Sequence, residues 1–259
     1  KKGLVSATKT SGHTLQIADG LWLDKKFKAA MMKSIAQSEL DRKRFVYSDI
    51  GFILLQQVVE AVTGKTLDAY LVSEFYRPMG LEHTLFQPLN RYKKADIMPT
   101  AANDYLRRQD LCGYVHDEAA AFMGGVSGNA GLFSTAQELG KIYQMILNEG
   151  ELDGKRYLRP ETCRIFTTEK SAVSHRGLGY DKPNLKDPKA NACASSAPAS
   201  VYGHTGFTGT CAWVDPENDL VYIFLSNRLC PDAWNGKLNS MKIRQAVQEV
   251  IYQSLYTPE

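Results

Sequence analysis

"GHTGFTGTCAWVDPENDLVYIFLSNR" runs from Gly203 to Arg228. Two of its parts, "TCAWV" and "LVYIFLS", are rich in β-branched and aromatic residues, and "DPEND" stands between them. That order reads as an antiparallel hairpin. The opening "GHTGFTGT" is different, because glycines and hydroxyl groups crowd a strand position. Glycine weakens a strand and marks a place where another backbone or a ligand comes close. His204, Thr205 and Gly206 are therefore candidate site residues.

Upstream of this hairpin the chain is helical in character. "YSDIGFILLQQVVEAVTG", Tyr47 to Gly64, is an almost continuous apolar run behind a tyrosine, a serine and an aspartate. It predicts a buried helix with Ser48 or Asp49 as N-cap and Gly64 at the C′ position. Taken alone, Tyr47, Ser48 and Asp49 read as a helix cap; the alternative is an active site. Further helices are expected over 26–36, with Phe27, Ala30, Met31 and Ile35 on one face, and from about Leu67 to Tyr76. Ser134 or Thr135 caps another that runs to about Asn148, with Leu139, Ile142, Tyr143, Ile146 and Leu147 on one face. "RPETCRIF" begins a short helix with Pro160 near its first turn. A closing helix over about 240–256 turns Ile243, Val247, Val250, Ile251 and Leu255 inward. Residues 77–131 read as a long irregular stretch, and "DPKANACASSAPAS", Asp187 to Ser200, as a surface loop. Helices first, then strands, then a helix indicate an α+β fold rather than alternating βαβ units.

Composition narrows the function. The 259 residues are 44% hydrophobic and 23% charged, enough for a sizeable core. Net charge is +3, and the densest basic stretch, Arg42 to Arg44, is short, so nucleic-acid binding has little support. No apolar run is long enough to span a bilayer, and the N-terminus lacks the apolar region of a signal peptide. The five cysteines are irregularly spaced and odd in number, so they read as mostly free thiols, several of them buried, rather than a zinc site or a disulfide scaffold. The five histidines show no ligand spacing. H-E-x-x-H, a P-loop and a complete G-x-S-x-G are absent, since "GVSGN" places Asn129 where the last glycine belongs. His116 and Asp117 resemble a metal pair but have no third ligand, so a structural loop role is expected. "GGVSGNAG", Gly124 to Gly131, is expected to turn tightly near the site. Trp22, Trp213 and Trp234 carry no assigned role.

A polar or cationic residue followed by Thr-Gly on a strand is the third motif of serine β-lactamases and penicillin-binding proteins. Taken with "YSDIGFILLQQVVEAVTGKTLDAYL", "FYRPMGLEHTLFQP", "GYVHDEAAAFMGGVSGNAGLFSTAQELGKIYQMIL" and "RGLGYD", it makes the chain resemble that superfamily. The likeness is to the class C or esterase-like branch, as in β-lactamase-like proteins of Bacteroides-type bacteria, and reaches from about residue 40 to the C-terminus. It implies a single domain over 1–259: a helical half at about 20–170, sheet strands at about 175–228 and a terminal helix at about 240–256. It implies serine hydrolysis through an acyl-enzyme on an ester, amide or peptidoglycan-type substrate, without cofactor or metal. Tyr47 takes the place of the proton-moving tyrosine, Asp49 the following asparagine, and His204, Thr205 and Gly206 the third motif. The oxyanion donor would be the amide of Phe207 or Thr208, and His204 and Thr205 would face the substrate. An aspartate in place of asparagine only accepts hydrogen bonds and disfavours an anionic substrate, which tilts the reading from lactamase toward esterase or peptidase. An exported, periplasmic home is expected from the family.

The motif that carries the nucleophile, S-x-x-K, occurs early as Ser6 to Lys9. Gly12 follows too soon for the long helix the motif opens, and Tyr47 is too near. Ser38 to Asp41 and Ser171 to Ser174 lack the lysine. The expectation is that the chain is the C-terminal part of a longer protein, with the nucleophile upstream. Apolar surface would then be exposed and promote self-association. The competing reading is a pseudoenzyme or ligand-binding module of the same fold.

Overall fold

A computed structural model describes residues 3–39, 45–168 and 170–256. The chain divides into two compact units, Lys1–Ser134 and Thr135–Glu259. The basic stretch Arg42 to Arg44 lies outside the described residues.

The first unit opens with strands β1 (Val5–Ser6), β2 (His13–Ala18) and β3 (Leu21–Asp24), paired antiparallel in the order β1-β3-β2. Sequence reading missed this small sheet because its strands are short and their polar residues break the alternation. Helices α1 (Phe27–Ala36), α2 (Ile50–Thr63) and α3 (Leu67–Leu71) follow, and α3 runs on into a π-helical turn at Val72–Tyr76. Gly64 takes φ 67° and donates its N–H to Glu60, ending α2 as the sequence predicts. α1 packs through Phe27, whose ring meets Phe122 edge-on at 4.8 Å.

Residues 77–131 are more ordered than the sequence suggests. They hold β4 (Leu85–Phe86), a hairpin of β5 (Pro99–Asp104) and β6 (Gln109–Cys112), and helix α4 (Glu118–Phe122). β7 (Leu132–Phe133) pairs back onto β4. The hairpin escaped notice because β5, "PTAAND", has a single β-branched residue, Thr100, and does not alternate.

In the second unit, α5 (Ala136–Leu147) begins where Thr135 accepts the Glu138 amide at 3.2 Å, the predicted cap. A small hairpin, β8 (Glu151–Leu152) and β9 (Lys155–Arg156), leads to α6 (Pro160–Thr168). The main sheet is β10 (Tyr202–Thr205), β11 (Cys211–Asp215) and β12 (Leu220–Phe224), antiparallel in that order. Its core joins Trp213, Tyr222, Val201, Cys211 and Cys193. Helices α7 (Lys237–Ser240) and α8 (Ile243–Tyr256) close the unit.

Two inward faces differ from expectation. α8 buries Gln248 and Tyr252, while Val247, Val250 and Leu255 are exposed. Hydrogen bonding decides this: Tyr252 donates to the buried Asp215 at 2.8 Å, and Gln248 accepts the Ala194 amide at 2.8 Å. The segment 187–200 is accordingly no plain surface loop, because Cys193, Ala194 and Ala197 pack in the core once Gln248 satisfies its backbone. None of the five cysteines is in a disulfide, and Cys163, Cys193 and Cys211 are buried. Burial pushes the Cys193 thiol up to about 12 and the Cys211 thiol up to about 11.

α2 also departs from the buried helix its apolar run predicts. Only Ile53 and Gln56 are buried, whereas Leu55 is 56% and Val62 81% exposed, and Ile50, Leu54 and Val58 are exposed too.

Candidate active site

The first unit's candidates sit where extended chain enters α2. Ser48 Oγ accepts the Ile50 amide at 3.2 Å, and the Asp49 carbonyl accepts the Phe52 and Ile53 amides at 3.0 and 3.2 Å. The Asp49 side chain makes no capping bond. Ser48 therefore performs the local capping that sequence reading offered to either residue. The Tyr47 side chain is exposed, on the chain just ahead of the helix.

The glycine-rich loop lies against the same helix. The Gly128 amide donates to Gln56 Oε1 at 3.1 Å, and Gln56 Nε2 donates to the Val126 carbonyl at 3.3 Å. A Cβ on Gly128 would stand 2.2 Å from the Phe52 carbonyl oxygen, so only glycine lets the loop come this close. Gly124, Gly125 and Gly131 all hold positive φ, the tight turning the sequence predicts. Asn129 ties the loop to Asp117 at 3.1 Å, and Asp117 caps α4 through the Ala120 amide at 2.7 Å. Asp117 thus has a structural role in this loop, and burial lowers the affinity of His116 for its proton. Sequence reading missed Gln56. Its signal is a glutamine at a position where the helix face is otherwise apolar.

Ser6 and Lys9 do not form the arrangement that S-x-x-K needs. That motif relies on one helical turn to bring its side chains together. Here Ser6 lies on β1, paired with Trp22, and accepts the Thr8 amide at 3.3 Å. Lys9 lies 5.6 Å over the Trp22 ring.

The second unit's candidates are contiguous on β10 and the turn after it. Gly203 pairs with Trp213, and a Cβ there would meet the Ala212 oxygen at 2.1 Å. On its other side Gly203 exchanges backbone hydrogen bonds with Asp181 at 2.7 and 3.1 Å. His204 and Thr205 follow, each half-buried. The turn closes when the Gly206 amide donates to Thr210 at 2.8 Å and the Gly209 amide to Gly206 at 3.1 Å.

Two arginines, neither given a role in the sequence reading, grip this turn by its carbonyls. Arg228 Nε donates to Phe207 at 2.6 Å, and its guanidinium lies 4.2 Å from the Phe207 ring centre. Arg228 also donates its backbone amide to the Thr208 carbonyl at 2.8 Å. Arg244 Nη1 donates to Thr210 at 2.9 Å and to Gly206 at 3.3 Å. With the carbonyls of 206, 207, 208 and 210 engaged from one side or another, the turn is fixed before any ligand arrives. Such preorganisation is what an oxyanion site requires.

His204 is engaged through both ring nitrogens. Nδ1 lies 2.7 Å from the Thr205 carbonyl, and Nε2 lies 3.0 Å from Arg176 Nη1. Arg176 in turn approaches the buried Asp181 at 3.4 Å, and His175 reaches the same carboxylate at 2.9 Å.

Residues 7–244 match the Beta-lactamase family, and the chain belongs to that family. An Escherichia coli K12 protein provisionally named a D-alanyl-D-alanine carboxypeptidase is 38% identical over 197 residues, covering 71% of this chain and 45% of its own. A similarly named Salmonella gallinarum protein is 32% identical over 227 residues, covering 82% of this chain and 52% of its own. The chain thus spans about half the length of the curated relatives it matches. A β-lactamase from Mycobacterium bovis shares the fold, with TM-score 0.53 and 19% identity over 82% of this chain and 65% of that one. The β-lactamase/transpeptidase-like α+β fold implied by the sequence is the fold observed.

Proposed function

We propose that this chain serves a serine hydrolase of the DD-peptidase kind, acting on peptides that end in D-alanyl-D-alanine. The observation that carries the reading is the H-T-G segment on β10, followed by a turn held rigid at Gly206 and Thr210. An extended peptide laid along such a strand would find Thr205 as a hydroxyl partner and the amide of Phe207 or Thr208 as oxyanion donor. In the first unit, the family's motif gives Tyr47 the role of proton carrier and Asp49 that of hydrogen-bond acceptor. The reaction joins the substrate acyl carbon to a serine oxygen, expels D-alanine, and releases the acyl group to water. Ser6 is not assigned as that serine, because Lys9 stands on the Trp22 ring rather than beside it. An exported setting fits peptidoglycan as substrate. Among the described residues, no helix is long and apolar enough to cross a membrane.

That placement of Ser6 and Lys9 favours one second reading, a module of the same fold that binds peptide without cleaving it. Amide spectra of the chain, titrated with diacetyl-L-lysyl-D-alanyl-D-alanine, test both. Saturable shifts at Gly206, Phe207 and Thr208 are expected, with none from the L-alanyl-L-alanine analogue. Unmoved resonances at all three positions would sink the peptide reading. Mass spectrometry of the natural full-length protein after fluorophosphonate or penicillin treatment then separates the two: a serine adduct indicates the enzyme, and peptide binding without any adduct indicates the module.

A further inference from the structure

Two contacts of His204 are chemically unambiguous. A backbone carbonyl only accepts hydrogen bonds, so Nδ1, 2.7 Å from the Thr205 oxygen, must carry a proton. A guanidinium only donates, so Nε2, 3.0 Å from Arg176 Nη1, must present its lone pair. One ring state satisfies both, the neutral imidazole protonated on Nδ1.

We propose that Arg176 is a positioning residue of the H-T-G strand, which locks His204 as the neutral Nδ1–H imidazole and makes it a strut rather than an acid or base. The lock is itself held. Asp181 is buried, takes Arg176 at 3.4 Å and His175 at 2.9 Å, and pairs its backbone with Gly203, the residue before His204. Strand and brace are thus built from the same two segments, so the guanidinium and the imidazole stay in register. The consequence rests on reading H-T-G as the substrate strand. With both nitrogens engaged, His204 has neither a proton to give nor a lone pair to offer a substrate. His204 instead fixes the Thr205 carbonyl, which orients the strand at its last residue.

Long-range 1H–15N spectra of the full chain labelled on histidine test this with no ligand and no activity. They therefore stand or fall separately from peptide binding. In the unsubstituted chain, Nδ1 of His204 is expected to give the signal of a protonated nitrogen and Nε2 that of an unprotonated, hydrogen-bonded one. Arg176→Met should move Nε2 toward the free-base extreme while Nδ1 stays protonated, and Arg176→Lys, which keeps a donor, should move it back. A proton on Nε2 at neutral pH, or an Nε2 signal indifferent to Arg176→Met, overturns the proposal. The first of these is read on the unsubstituted protein, so it does not depend on any variant folding.

Discussion

Arg107 closes on Asp104 inside the β5–β6 hairpin, donating from Nε at 2.9 Å and from Nη2 at 2.8 Å, with both side chains sealed from solvent. The same guanidinium donates to the carbonyls of Val115 and His116, so one buried cation pins the hairpin to the segment that leads into α4. Removing it would strand a buried carboxylate and two carbonyls. Arg107→Ala is expected to destabilise the first unit by about 3–5 kcal/mol, read as a lower urea midpoint.

The same pair sets an acid limit. Burial works against the Asp104 carboxylate, but the Arg107 hydrogen bonds and charge prevail and hold it below its ordinary 3.8. A depressed carboxyl contributes stability that is complete above its unfolded value and lost as pH falls through the folded one. Stability of the first unit should therefore decline below about pH 4, and Asp104→Asn should flatten that decline. A decline of equal slope in Asp104→Asn would assign it to other carboxylates.

Gly128 and Gly51 make a contrasting pair. A Cβ on Gly128 would strike the Phe52 carbonyl, whereas one on Gly51, in the first turn of α2, meets nothing within 4 Å. Gly128→Ala should cost about 1–3 kcal/mol and open residues 124–131 to limited proteolysis. Gly51→Ala should stabilise by about 0.5–1 kcal/mol. Thermal melts of the two variants are expected to move in opposite directions.

Lys182 is buried in the second unit, donating to the carbonyls of Thr167 at 2.5 Å and Ser200 at 3.4 Å, with the Tyr202 ring 5.7 Å away. Burial, aided by Lys170, pulls it down to about 8 from 10.5. A lysine with a lowered folded value burdens the fold while it must be charged and is relieved once it is neutral. Stability should rise between pH 8 and 10.5, by an upper bound of about 3 kcal/mol. Lys182→Met, compared by denaturant unfolding across that interval, should lose the rise. Parallel curves for the two proteins would refute it.

The exposed apolar stripe of α2 makes self-association testable. Leu55→Lys and Val62→Lys replace side chains that bury little, so each should change stability by less than about 0.5 kcal/mol. Together they should lower the apparent mass seen by light scattering at high protein concentration. An unchanged mass would place any association elsewhere.

Legibility in the sequence followed the range of the interactions. Ser48, Thr135 and Gly64 announce helix ends because a cap is settled within three or four residues. The β11–β12 hairpin was plain because Asp215 to Asp219 is a turn between two β-rich runs. The burial of Gln248 and Cys193 was hidden, since it depends on a bond between residues 54 apart in the chain. The candidate site divides the same way. Tyr47 and His204 carry roles the motifs name, whereas Arg176 and Arg228 stand in quoted strings without a role, and they and Arg244 act on carbonyls and a ring nitrogen that no spacing rule connects to them.

The three buried thiols all belong to the second unit, while Cys112, in the first, and Cys230 are partly exposed. A thiol sealed in a core and held protonated reacts with a disulfide reagent only when its surroundings open. Cys163, Cys193 and Cys211 thus form a built-in clock: their labelling rate under native conditions counts the openings of the second unit alone. Set beside the reaction of the same thiols in the unfolded chain, that rate gives the opening free energy of the half that carries His204 without any denaturant.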